Sequence, residues 1–192
     1  MWKTGLMTHK HFDMAINAAL LVWGLTLSFT FWAAWLDWRT RRIPNWLTVS
    51  GFVTGIGVRS VILGWHGGLE SIEGVGLALA VLLPLVLLRG LGAGDWKLMG
   101  SVGALLGPGG MLVVLLVSVL VSGVMAVLTM IQAGRVFTTL RNIVALIKGF
   151  FVFGWRGNPK FTIDNPGLLK LPFGVAAALA TLICFVASRW AQ

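Results

Sequence analysis

The sequence predicts an all-α integral membrane protein, a polytopic bundle of about six transmembrane helices with one amphipathic helix on the membrane surface. Of its 192 residues, 57% are hydrophobic and only 11% are charged, where a soluble domain usually carries about a quarter charged residues. The apolar residues also run in stretches close to the twenty or so needed to cross a hydrocarbon core about 30 Å thick. Finally, Lys and Arg collect in some of the connections and avoid others, as they do in membrane proteins of fixed orientation.

The first apolar run, residues 14–36, is too long for the core of a cleavable signal peptide and is followed by Arg39, Arg41 and Arg42, so it reads as a retained membrane helix. Pro44 and Asn45 then suit the start of a second helix, where a missing backbone donor does no harm. That second segment covers residues 47–65 and a third covers 75–88, with a polar loop expected at 66–74. A short fourth segment, 95–107, and a fifth, 111–133, flank the breaker Gly107-Pro108-Gly109-Gly110 and should form a tight helical hairpin. Between residues 135 and 153, Val136, Phe137, Leu140, Ile143, Val144 and Ile147 recur at helical spacing with Arg141 and Lys148 among them, the pattern of a basic helix lying on the inner leaflet. The sixth segment is 171–190. No repeat divides the chain, and residues 1–192 read as one membrane-embedded domain.

A net charge of +9 could point to nucleic acid, but the fifteen Lys and Arg are scattered over connections rather than gathered on one face, so no nucleic-acid partner is expected. Residues 37–46, 89–97 and 134–170 are the basic connections, whereas 66–74 holds Glu70 and Glu73 and no Lys or Arg. The positive-inside rule puts the basic connections in the cytoplasm and both termini outside. Trp35, Trp38, Trp46 and Trp96 fall at the same proposed boundary, where amphipathic rings settle. Arg59, deep in the second run, must snorkel or pair with Glu70 or Glu73. Cys184, the one cysteine, lies in an apolar run and is expected to pack there.

Only six residues are acidic. Asp13, Glu70 and Glu73 fall on the proposed outside, and Asp164 sits in the turn-forming Asp164-Asn165-Pro166-Gly167. Asp37 closes the first helix and Asp95 opens the fourth, so opposite helix directions bring both to one membrane depth. Two carboxylates sharing a site cannot both ionise cheaply. One then holds a proton that can polarise a carbonyl while the other takes a proton from water, the chemistry of amide hydrolysis. Gly92 and Gly94 would let an extended strand pass close to Asp95. Gly103 and Gly107, spaced as GxxxG, would let another helix bring its carboxylate near. His9, His11 and His66 all fall outside and do not make a metal site, so no metal or other cofactor is expected.

The stretch DWRTRRIPNWLT at 37–48, followed by GAGDWKLMGSVGALLG at 92–107 and LPFG at 171–174, resembles the type IV prepilin peptidase family, membrane aspartyl proteases of the GxGD class. The resemblance covers residues 37–174. It implies that Asp37 and Asp95 are the catalytic pair, with Gly92, Gly94, Lys97, Pro44, Asn45, Pro172 and Gly174 shaping the site or binding substrate. Lys97 also reads simply as a lysine snorkelling at a helix end. The implied partners are pilin-like precursors, cut just before their hydrophobic helix at the inner face of the cytoplasmic membrane. Larger members carry four zinc-binding cysteines and methylate the new N-terminus. This chain lacks those cysteines, so methyltransferase activity is not expected, and the chain is more similar to the compact peptidases of tight-adherence (Flp-type) pili or the archaeal preflagellin peptidases. A different class of function, a small transporter or assembly protein using the two Asp as a proton or cation relay, would also employ intramembrane acids. Against it, both Asp share one membrane face and no transporter-like repeat is visible.

Overall fold

The computed structural model describes residues 3–87, 91–134 and 172–190. They form four helices: α1 (Lys3–Thr40), α2 (Asn45–Leu87), α3 (Ala93–Gln132) and α4 (Phe173–Trp190). Each contains a stretch long and apolar enough to cross a membrane, that of α1 beginning at Ile16. The chain is a multi-pass helical membrane protein. The surface helix expected at 135–153 and the turn at Asp164 lie outside the described residues.

Four helices replace the six expected segments. The second and third expected segments lie in α2, and the fourth and fifth lie in α3. Each long helix is broken by one glycine at positive φ, Gly64 (φ 66, ψ −152) and Gly107 (φ 75, ψ −179), after which helix resumes at once. Glycine adopts these angles without the Cβ clash that other residues meet. The break before Pro108 falls where the sequence put a turn. The one at Gly64 does not, and the stretch 66–74, expected as a loop, is helical.

At Gly64 the chain doubles back. A Cβ on Gly67 would lie 2.2 Å from the carbonyl oxygen of Arg59, whereas eight residues along a straight helix span about 12 Å. Arg59 also forms an ion pair with Glu70 across the turn and donates to the carbonyl of Leu105 at 3.4 Å. This is the pairing an intramembrane arginine requires, since its charge is costly in hydrocarbon without a partner.

Both arms of α2 pack against the first part of α3, the most extensive contact in the bundle. Lipid tails are as apolar as leucine, so helices in a membrane are held by close packing rather than by escape from water. Small residues make the approach possible here. A Cβ on Gly74 would lie 2.3 Å from the carbonyl oxygen of Gly103, and one on Gly55 would lie 2.6 Å from the backbone of Ala104. Gly103 and Gly107 therefore serve the packing of α3 on α2, not the approach of the helix that carries Asp37. Leu98, Met99, Val102 and Leu105 of α3 are fully buried in the bundle.

The second seam joins α1 to α4. Thr26, Thr30, Ala33 and Asp37 form one buried stripe on α1, and α4, packed on both α1 and α3, buries Ala177, Ala180, Thr181 and Cys184. The threonine hydroxyls are satisfied within their own helices, Thr26 donating to Val22 O at 2.7 Å, Thr30 to Thr26 O at 2.9 Å and Thr181 to Ala177 O at 2.8 Å. Trp35, Trp38 and Trp46 are exposed around one end of the bundle. Trp96 differs: it turns inward and its indole N–H donates to Leu79 O at 2.8 Å.

Candidate active site

At one end of the bundle the C-terminal turn of α1 meets the N-termini of α2, α3 and α4. Helix α1 runs three residues past Asp37, placing that carboxylate inside its last turn, only 6% exposed. The backbone N–H of Gly174, near the start of α4, donates to Asp37 Oδ2 at 2.9 Å. A Cβ on Gly174 would stand 3.0 Å from both Oδ2 and Cβ of Asp37, so glycine is what lets this backbone come so close. Pro172 sets up that N-terminus: its carbonyl accepts from the N–H of Val175 at 3.2 Å.

After α1 the chain turns sharply. The N–H of Arg41 donates to Asp37 O at 2.9 Å, Arg41 takes a left-handed conformation (φ 53), and the Thr40 hydroxyl bridges Leu36 O and Arg42 O at 2.8 and 2.9 Å. The turn delivers Ile43, which is buried, to Gly94. A Cβ on Gly94 would lie 3.3 Å from Cβ of Ile43. Pro44 starts α2 as its position suggested, its carbonyl accepting from the N–H groups of Leu47 and Thr48 at 3.2 and 3.5 Å. Asn45 Oδ1 accepts from Lys97 Nζ at 3.0 Å, fastening α2 to α3 beside the carboxylates.

Asp95 is the third residue of α3 after its N-cap, Gly92, and the N–H of Trp96 closes the first turn onto Gly92 O at 3.1 Å. The Asp95 carboxylate folds back towards the backbone of Gly92, where a Cβ would stand 3.1 Å from Oδ2. Gly92 has ordinary extended angles (φ −70, ψ 143), so its role is to leave room for Asp95 itself. Gly94 leaves room for Ile43.

Asp37 and Asp95 are near enough for Asp95 to feel the charge on Asp37, and Asp37 in turn feels Arg41. The N-terminus of α4 reaches Asp37 through the Gly174 N–H, and Asp95 lies in the first turn of α3, so each carboxylate sits at the positive end of a helix. Such an end favours a carboxylate and can equally steady negative charge that develops on a bound carbonyl. All nine residues singled out in the sequence thus lie at this end of the bundle. The donor role of the Gly174 N–H and the Arg41 turn were not foreseen. The first was signalled only by LPFG, whose Gly follows a helix-starting Pro. The second had no signal, since arginine seldom adopts positive φ.

Fold and site together define a multi-pass helical membrane protein that gathers two carboxylates at one end of its bundle. The family model of the type IV leader peptidase family matches residues 24–127, just over half of the 192 residues. The chain belongs to that family and is by membership a peptidase. The matched span contains both Asp37 and Asp95 and stops short of α4. No curated protein and no solved structure matches the chain.

Proposed function

We propose that this chain is an aspartyl endopeptidase that removes the leader peptide of type IV pilin-like precursors, working at the cytoplasmic face of the inner membrane. The observation that carries the reading is the meeting of Asp37 and Asp95 at one end of the bundle, within the span shared with the leader peptidase family. The orientation follows from the basic connections at that end. One carboxylate, ionised, takes a proton from a water whose oxygen attacks the scissile carbonyl carbon. The other, protonated, donates a hydrogen bond to the carbonyl oxygen and helps deliver a proton to the leaving nitrogen as the C–N bond breaks. Neither step calls on a metal. The single Cys184 cannot supply the four cysteines of members that also methylate, so N-methylation is not part of this reading.

The test is co-expression with the pilin-like precursors encoded nearest to this chain's gene. One precursor is expected to shorten on a gel, with a new N-terminus just before its hydrophobic segment by mass spectrometry. Unchanged precursors beside a well-inserted protein would count against a peptidase and favour an ion relay.

Gly174→Ala offers a finer test. The added methyl would crowd Asp37 Oδ2 at 3.0 Å and push the carboxylate off its N–H donor. Displacements below 1 Å at reacting groups cost about tenfold to a hundredfold in rate. The expected result is a loss of that order in cleavage with thermal stability little changed. Wild-type rates in Gly174→Ala would show that the Gly174 contact does not position Asp37 for the reaction.

A further inference from the structure

Helices α1 and α2 are joined by the short connection 41–44, yet they pack on each other very little. Among the described residues an open groove of about 290 Å³ runs between them, walled by Ser28 and Trp32 of α1 and by Trp46, Ser50 and Thr54 of α2, with Leu105 of α3 also lining it. Its site end is marked by the Trp32 and Trp46 rings, edge to face with centroids 6.5 Å apart. The neighbours of those two tryptophans belong to the site: the Ala33 carbonyl lies beside Gly174, and Asn45 holds Lys97.

We infer that this groove receives the first two turns of the substrate's own apolar helix and so presents the bond ahead of that helix to Asp37 and Asp95, an inference that rests on the peptidase reading above. From Trp46 to Thr54 the α2 wall is eight residues long, about 12 Å, which matches two turns of a docked helix. Most of the groove's lining is apolar. Ser28 donates to Gly24 O at 2.8 Å and Ser50 to Leu47 O at 2.7 Å, so these two hydroxyls are engaged within their own helices. What they do offer is small size, which lets another helix approach closely. Position selects the occupant: a precursor cut just before a membrane helix must hold that helix at this depth, against this end.

The test is disulfide mapping in membranes. The enzyme carries Asp95→Asn and Cys184→Ala with a cysteine in place of Ser28 or Ser50, or, as controls, of Val81 on α2 or Leu179 on α4, which are exposed on other faces. The probe is the nearest-encoded pilin-like precursor with a cysteine moved through the first eight residues of its apolar segment. Cross-linking at the groove positions is expected to exceed the controls at least fivefold. Equal cross-linking at all positions, or preference for a control, overturns the groove. The same precursor is given to enzyme with both aspartates intact: cleavage with cross-links elsewhere removes only the groove, whereas absence of cleavage removes the peptidase reading and the groove with it. As a second variant, Ser50→Trp is expected to raise KM at least tenfold for the precursor but not for a soluble peptide that spans the scissile bond and ends before the helix. Equal effects on both substrates overturn the inference.

Discussion

Replacing either Asp37 or Asp95 by Asn is expected to lower the rate of precursor cleavage by about 10²- to 10⁴-fold, the usual scale for removing a group that moves a proton in the transition state. Asn keeps the volume of the side chain but can neither take a proton from water nor give one to a leaving nitrogen. At Asp37 the amide oxygen can still accept from the Gly174 N–H, so the join between α1 and α4 should persist and the protein should insert normally. At Asp95 the side chain lies in the first turn of α3, where losing a charge near a helix N-terminus costs about 0.3–2 kcal/mol. Cleavage followed by gel in membranes holding equal amounts of each variant separates chemistry from folding. Because the two carboxylates act as one unit, the double variant should be hardly slower than either single one. Wild-type cleavage by Asp95→Asn would eliminate the proposed mechanism, and a double variant slower by the product of the two losses would mean that the residues act independently.

The second large effect concerns stability. Gly103→Ala places a methyl 2.3 Å from the Gly74 carbonyl oxygen, and Gly74→Ala does the same in reverse. Backbone cannot swing aside as a flexible side chain can, so α2 and α3 must move apart along their main seam. Overpacking of this kind costs about 1–3 kcal/mol or more. Gly57 and Gly76 of α2 supply the comparison, since a Cβ on either meets nothing within 4 Å. Alanine there should stabilise by up to about 1 kcal/mol through helix propensity. Thermal unfolding in mild detergent should therefore show Tm falling for Gly74→Ala and Gly103→Ala and holding or rising for Gly57→Ala and Gly76→Ala. Identical behaviour in all four would mean that the seam yields without penalty.

The helical membrane architecture was legible because it depends on summed hydropathy, which a sequence displays directly. The number of separate helices was not. The turn at Gly107 announces itself through Pro108 and two further glycines, whereas Gly64 stands alone and the polar residues after it look like a loop. The contrary signal was present at 66–74 and beyond: Gly67, Ser71, Gly74, Ala78 and Leu82 are buried at spacings of four, three, four and four, one face of a helix. Small residues hide such a stripe from any reading that weighs hydrophobicity alone. At the site, Asp37 and Asp95 stood out because acids are scarce in this chain and opposite helix directions put them at one depth. The reasons for their glycines did not, because a missing Cβ reveals its purpose only when the neighbour is known. A Cβ on Gly92 would crowd Asp95 and one on Gly94 would crowd Ile43, neighbours that the sequence does not show.

The hydrogen bond from Gly174 to Asp37 joins residues 137 positions apart in the chain. During synthesis, α1, α2 and α3 are made before α4, so both carboxylates are present in the chain before this donor is translated. A nascent protein of this kind holds the acids of its site without their final arrangement until its last described helix is laid against its first. The order of translation alone thus places the joining of Asp37 to Gly174 after the synthesis of both carboxylates.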